Sequence, residues 1–293
     1  MTKLFPALLF CLTLFSITVA QAQERFSFFQ ASTVESVTRM LKLARLRDDD
    51  VLVDLGSGNG LIPITAAQIN PKLRAWGVDV DEKLILESNH AAKTQGVGDR
   101  VQFFHRNAFD TDLREATVVT MWLFPELMRL LRPTILKTAR PGTRILTSTW
   151  DLGSWGYDEA DSGNPTIYKW VVPARVEGYW IWELSIAGRK FVYSAVNEQR
   201  FQAVEGVVRA GKYRELLQDI KLRGEDISFA LAMTLDEVGH TRHEFRGKVG
   251  GDQIEGRATV TLENHEKIEL PWHAKRTAKS LYFAPTGTNV KTD

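Results

Sequence analysis

One aspartate, three glycines at alternate positions and a second aspartate further on set the chemistry this chain could carry out. Asp54-Leu55-Gly56-Ser57-Gly58-Asn59-Gly60 follows the apolar run Val51-Leu52-Val53, which reads as a strand breaking into a tight turn. Glycine reaches backbone angles closed to other residues and lets the main chain come close to a ligand. A helix after such a turn aims its unpaired N–H groups at whatever the turn holds. The dinucleotide fingerprint G-x-G-x-x-G sets its third glycine one residue further on than Gly56-x-Gly58-x-Gly60 does. Asp79 lies 19 positions after Gly60, where an open α/β sheet presents a carboxylate to ribose hydroxyls. Asn107-Ala108-Phe109-Asp110 is a short polar-then-apolar loop suited to hydrogen-bonding and covering an adenine.

These residues need a frame of alternating strands and helices. Ser32-Thr33-Val34-Glu35 has the form of a capping box, and Val34, Val37, Met40, Leu41 and Ala44 follow at helical spacing. A helix is expected over 61–69, with Pro63 tolerated in its first turn. Strands are expected over 74–81 and 100–105, with a helix over 84–93 between them and Asp81 as its N-cap. Residues 116–123 form a nearly continuous apolar strand, the kind covered on both faces. A helix over 125–139 should be kinked or interrupted at Pro133, and Pro141-Gly142 turns the chain into a strand over 143–150. The expected fold is α/β, a Rossmann-like, parallel, doubly wound sheet with ligands at the strand C-terminal ends.

From about residue 165 helical periodicity fades. Short β-rich runs recur at 167–172, 178–186, 191–196, 201–208, 226–232, 240–248, 253–262 and 267–273. Glycine-containing turns between them imply an antiparallel meander closed into a sandwich or barrel. The expected division is a leader over 1–22, a cofactor-binding domain over 23–160, a β-rich domain over 165–285 and a disordered tail over 286–293. With 293 residues and 44% hydrophobic content the chain is long enough for two such cores.

Lys3, the apolar run from residue 4 to residue 20 and Ala20-Gln21-Ala22 fit a secretory signal peptide cleaved before Gln23. The alternative is an uncleaved anchor formed by residues 4–20. Both readings place the rest of the chain outside the cytosol, in the periplasm or secreted. The leader carries Cys11, the single cysteine, so the mature chain has no disulfide. Removing Lys3 with the leader leaves 36 basic residues from 37, against 36 acidic ones. That balance argues against nucleic acid as the main partner. A membrane contact is expected only where the leader remains attached.

Residues 32–155 resemble a class I S-adenosylmethionine-dependent methyltransferase. Within that class they look most like the small lysine methyltransferases related to the mitochondrial enzyme acting on the ATP synthase c-subunit. The matching pieces are Asp54 to Gly60, Gly77-Val78-Asp79, Ala108-Phe109, Ala116-Thr117-Val118-Val119, Leu130-Leu131-Arg132-Pro133 and Pro141-Gly142-Thr143-Arg144-Ile145. The resemblance implies S-adenosylmethionine as cofactor. It sets Gly56, Gly58 and Gly60 against the methionine portion, Asp54 at its amino group, Asp79 at the ribose and Asn107 at the adenine amino group. Ser57, Asn59 and Ala108 complete the implied set. Many relatives carry an acid at the positions of Asn59 and Asn107; asparagine still accepts a hydrogen bond.

Methyl transfer needs a neutral nucleophile brought into line with a sulfonium carbon and water kept out. Trp122-Leu123-Phe124-Pro125-Glu126 stands where amide and base N-methylating relatives carry an Asn-Pro-Pro-Tyr-like sequence. Trp122 and Phe124 could wall a lysine channel by cation–π contact, and Glu126 could orient the amine. The competing reading makes the aromatics core and Glu126 a helix cap. His240 and His243 are expected on opposite faces of a strand, so no metal site is expected. Trp170, Trp180, Trp182 and Trp272 could girdle a ligand or fill a barrel. Two functions remain open on sequence alone: a methyltransferase acting on a protein side chain such as lysine, or a non-catalytic, envelope-associated module on the same fold.

Overall fold

In a computed structural model of the chain the described residues are 32–278. The expected leader and its cleavage point, and the tail over 286–293, lie outside them. In chain order the first part runs α1 (Val34–Ala44), β1 (Val51–Leu55), α2 (Leu61–Ile69), β2 (Arg74–Asp79), α3 (Glu82–Thr94), β3 (Val101–His105), a 3-10 turn (Ala108–Asp110), β4 (Val118–Met121), α4 (Pro125–Thr138), β5 (Arg144–Ser148), β6 (Glu159–Asp161) and β7 (Ile167–Val171). The second part is all strand: β8 (Gly178–Ile186), β9 (Arg189–Arg200), β10 (Ala203–Ala210), β11 (Tyr213–Leu216), β12 (Gln218–Arg223), β13 (Asp226–Leu235), β14 (Gly239–Gly250), β15 (Gln253–Thr261) and β16 (Lys267–Thr277).

The first sheet has the order β3-β2-β1-β4-β5-β7-β6. Strands β1 to β5 pair in parallel, while β7 runs antiparallel between β5 and β6. Successive residues of β1 serve opposite faces. Leu52 joins a core with Met40 of α1 and Ile64 of α2, whereas Val53 and Leu55 join Met128, Leu131 and Ile135 of α4. Thr33, not Ser32, caps α1, accepting from the Ser36 amide at 3.2 Å. Helix α4 continues through Pro133 from Pro125 to Thr138, so the expected interruption does not occur.

The expected boundary at residue 165 is corrected by β7. Ile167 pairs with Ser148 and Val171 with Arg144, so this run belongs to the first sheet. Its Trp170 fills the α4-side core beside Trp155. An antiparallel strand of the first sheet lacks helical periodicity as much as a barrel strand does, which is why the pattern placed it on the wrong side.

At the N-terminal end of the sheet Arg144 ties the layers together. Its Nη1 donates to the carbonyls of Ala44 and Arg45, at 2.9 and 2.8 Å, and its Nη2 pairs with buried Asp50. The same carboxylate accepts from Thr117 Oγ1 at 2.7 Å and from the Arg47 amide at 2.6 Å. A cation at a helix C-terminus meets carbonyls that have no intrahelical donor.

The second sheet has the order β11-β10-β9-β8-β16-β15-β14-β13-β12. Every neighbour is the next strand in sequence except β8 with β16, and the two edge strands are separated by Leu217 alone. The antiparallel pairings run β11 and β12 in the same direction, so the two follow one another as a single interrupted strand, its first part paired with β10 and its second with β13, and the sheet closes on itself. Of the two expected forms, sandwich or barrel, the chain takes an up-and-down barrel. Trp180, Trp182 and Trp272 fill its interior with Tyr193, Phe229 and Phe245; Trp182 stacks on Tyr193 at 5.4 Å. His243 is buried in the same interior while His240 is exposed, so these residues do lie on opposite faces.

Two barrel turns rest on the first sheet. Phe201, between β9 and β10, stacks on Trp155 at 5.8 Å, and the Arg132 guanidinium covers its ring at 5.4 Å. At the β12–β13 turn the Gly224 carbonyl accepts from the Ala174 amide at 2.7 Å, and Arg223 pairs with Glu159.

Candidate functional site

The site is built where β1, β2 and β4 end. Gly56, Gly58 and Gly60 have φ of +80°, +51° and +81°, so all three occupy the left-handed region that the sequence pattern anticipated. The turn folds over β2: the amides of Gly56 and Ser57 both donate to the Val78 carbonyl at 2.9 Å. The Gly58 amide donates to Asp79 Oδ2 at 2.9 Å, and Gly60 serves as the N-cap of α2. A side chain at Gly56 would meet Leu123 Cδ2 at 2.5 Å, which brings the segment after β4 directly onto the turn. Gly77 has no room for a side chain either, because Ser57 Cβ would stand 2.4 Å from it.

Asp54 is buried inside the sheet end and accepts from Thr120 Oγ1 at 2.7 Å. Burial pushes its carboxyl up to about 7; Asp79 adds to the rise and the Thr120 hydroxyl opposes it. This group therefore changes charge near neutral pH. Asp79 is half-buried, with Oδ1 accepting from the Asp81 amide at 3.0 Å and Oδ2 from Gly58. Each carboxylate oxygen retains a further acceptor direction, so the residue can still meet hydroxyls. Asp81 caps α3 by accepting from the Lys83 amide at 3.0 Å, as the sequence indicated.

Asn107 is exposed and caps the 3-10 turn, its Oδ1 accepting from the Phe109 amide at 3.0 Å. Ala108 follows half-buried against the α4-side core. Asn59 is exposed, with Oδ1 near the Leu61 amide at 3.3 Å. The three acceptor-side candidates separate. Trp122 is half-buried against the core beneath α1 and α2, which fits the core reading. Phe124 remains 40% exposed at the N-cap of α4, and exposed Glu126 lies in the first turn of that helix. Phe124, with no side-chain bond, holds the cap position that the competing reading gave to Glu126.

Sequence reasoning missed Thr120 and Leu123, which reach Asp54 and Gly56 across the strand boundary. A polar Thr120 inside an apolar run was the available signal. It also missed Thr149 and Trp150, just past β5. Thr149 has φ of +70°, and the Trp150 amide donates to the Ser148 carbonyl at 2.8 Å.

A parallel sheet of this order, with a glycine turn after its first strand and an acid after its second, defines a class I methyltransferase. Residues 54–159 match the family described as the ANTKMT methyltransferase domain. A protein-lysine N-methyltransferase from Saccharolobus islandicus (strain REY15A) is 36% identical over 141 residues, covering 46% of this chain and 88% of the relative. The chain belongs to this methyltransferase family. A ribosomal protein L11 methyltransferase from Pasteurella multocida (strain Pm70) is 34% identical over 92 residues, which cover 29% of this chain and 31% of that protein. The chain thus spans about a third of that relative's length. A solved RNA methyltransferase from Salinibacter ruber, in complex with S-adenosyl-L-homocysteine, is 36% identical with a TM-score of 0.49, covering 50% of this chain and 96% of that one.

Proposed function

We propose that this chain methylates the ε-amine of lysine in a protein, using S-adenosylmethionine. The observation that carries the reading is the glycine turn, closed onto the Val78 carbonyl and the Asp79 carboxylate beside a buried acid. The residues fit the cofactor. Asp54 would meet the methionine amino group, Asp79 the ribose hydroxyls, and the segment Asn107-Ala108 the adenine, while Gly56, Ser57, Gly58, Asn59 and Gly60 supply close-approaching backbone. The cofactor would supply a sulfonium methyl group for in-line transfer to a neutral nitrogen, the sulfur leaving as the neutral thioether. The chain's own task is to orient: Leu123 packs on the turn, and Phe124 and Glu126, exposed at the start of α4, would meet the arriving lysine.

The lysine assignment is supported by the Saccharolobus relative, and the balanced charge favours protein over nucleic acid as substrate. The charged start, apolar run and Ala20-Gln21-Ala22 support export, which intact-mass measurement of native protein would test against a retained anchor.

Calorimetric titration with S-adenosylmethionine and S-adenosylhomocysteine tests the reading. Asp79→Ala removes a ribose acceptor and also the partner of the Gly58 and Asp81 amides. Hydrogen bonds to charged groups contribute about 1.5–3 kcal/mol, so affinity should fall roughly ten- to a hundredfold. A wild type that binds neither ligand would overturn the reading in favour of a non-catalytic module.

A further inference from the structure

The end of β5 carries a feature the glycine turn does not explain. Thr149, a β-branched residue, sits at φ +70°, and the Trp150 amide closes onto the Ser148 carbonyl two residues back at 2.8 Å. That is a γ-turn of the strained, rarer hand. Two more bonds hold it: the Thr149 amide donates to the Thr166 carbonyl at 2.8 Å, and Thr147 Oγ1 donates to the Trp150 carbonyl at 2.6 Å. Strain kept in place by surrounding bonds is concentrated at functional positions.

The turn presents a large apolar side chain to solvent, since Trp150 is 48% exposed. Met121 of β4 pairs with Thr147 of β5, so Phe124 and Trp150 each lie three residues beyond a registered pair on neighbouring strands. Neighbouring strands stand about 4.8 Å apart. Two exposed aromatics therefore flank the same sheet end, beside Leu123, which touches the glycine turn. Glu126 and Asp151 belong to the same two segments and add carboxylates at that end. Aromatic faces with nearby carboxylates favour a cation.

The barrel reaches this wall. Gln202, in the β9–β10 turn, uses both ends of its amide on the segment after Trp150: Oε1 accepts from Trp155 Nε1 at 2.9 Å and Nε2 donates to the Gly156 carbonyl at 2.7 Å. Phe201 stacks on Trp155. Arg132, which covers Phe201, donates to the Leu152 carbonyl at 2.6 Å.

We propose that Trp150 and Phe124 together receive the alkylammonium side chain of the acceptor, and that Gln202 and Phe201 of the barrel position the Trp150 segment for it. The proposal rests on the methyltransferase reading and gives the barrel a part in acceptor recognition. Trp150 is the specificity-determining residue; Gln202 is a positioning residue that acts through Trp155 and Gly156.

The test uses the full chain, ¹⁵N-labelled and saturated with S-adenosylhomocysteine, titrated with n-butylammonium and separately with n-butanol. Trp150→Phe assigns the Trp150 indole signal among those of the eight tryptophans. That signal should shift saturably with n-butylammonium, and at least fivefold more weakly with the neutral alcohol. Trp150→Ala should weaken n-butylammonium binding about tenfold and Trp150→Phe less than threefold. Gln202→Ala should weaken it severalfold while S-adenosylhomocysteine affinity stays unchanged, a split that a merely structural role would not give. An unmoved Trp150 signal, or an equal response to the alcohol, overturns the proposal while leaving the cofactor reading intact. A Gln202→Ala chain that binds n-butylammonium as the wild type does removes the barrel's part. If the wild type fails to bind S-adenosylhomocysteine, the earlier reading falls first and this one with it.

Discussion

A proton should leave Asp54 when the cofactor binds. The carboxyl is buried, accepts one bond from Thr120 at 2.7 Å and titrates at about 7 in the ligand-free chain. A cationic amino group placed beside it favours the ionised form. At pH 7 roughly half a proton per site should then be released, and at pH 6 roughly nine-tenths. Affinity should rise with pH up to about 7, approaching tenfold per pH unit well below that value. Asp54→Asn keeps the shape and removes the charge. The variant should release no proton, show a flat profile between pH 6 and 7, and bind roughly ten- to a hundredfold more weakly at pH 7.5. Calorimetry in two buffers of different ionisation enthalpy measures the protons directly. Below pH 7 the ligand's own amino group stays charged, its usual pKa being about 8. The sign reverses for stability. A folded-state pKa raised above the unfolded one favours folding in acid, and that contribution is lost as pH rises from about 4 to about 7. The loss is roughly 4 kcal/mol at its limit, so Asp54→Asn should be the more stable protein at pH 8 without ligand. Wild-type binding with no proton exchange at pH 6 would refute the reasoning.

Two further outcomes are expected. Burial holds the His243 ring down at about 4, below its ordinary 6.5, so the unfolded chain takes a proton first. Stability should be full above pH 6.5 and fall by roughly 3 kcal/mol as pH drops to about 4. His243→Gln, which retains a hydrogen-bonding partner for Tyr193, should lose this dependence in urea titrations at pH 7 and pH 5. Arg144→Met leaves the Asp50 carboxylate buried with no guanidinium beside it, and should cost about 3–5 kcal/mol of stability. A loss below about 1 kcal/mol would mean that Asp50 finds water or protonates instead.

Residues constrained by their own backbone could be read directly from the sequence. Gly56, Gly58 and Gly60 can take positive φ, and Asp81 is a favoured helix cap, by their own chemistry before any neighbour is considered. Residues defined by a neighbour in space could not. Thr120 matters because β4 lies beside β1, and Leu123 because the following segment folds back over Gly56. Trp122 and Phe124 look alike in sequence, yet one is packed beneath helices and the other is exposed. The strands β6, β11 and β12 were missed for another reason. Tyr213–Leu216 and Gln218–Arg223 are dominated by charged and polar side chains that stand in solvent, so they lack the alternating apolar pattern. The Trp150 turn uses Thr149 at positive φ, where local preference would have placed glycine or asparagine.

The barrel's connectivity also says when it can form. Seven of its neighbouring pairs are hairpins between consecutive strands, each able to zip up locally as the chain appears. Closure is different, because it joins Trp182 to Ala274 and Tyr179 to Thr277, residues more than ninety positions apart. Loop entropy must be overcome before that seam gives anything back, which makes it the slow, non-local step. During synthesis the open meander would therefore wait for β16, with Trp180 and Trp182 on an unpaired edge. A chain that stops before Ala274 should display that edge to its neighbours, and aggregation is its expected fate.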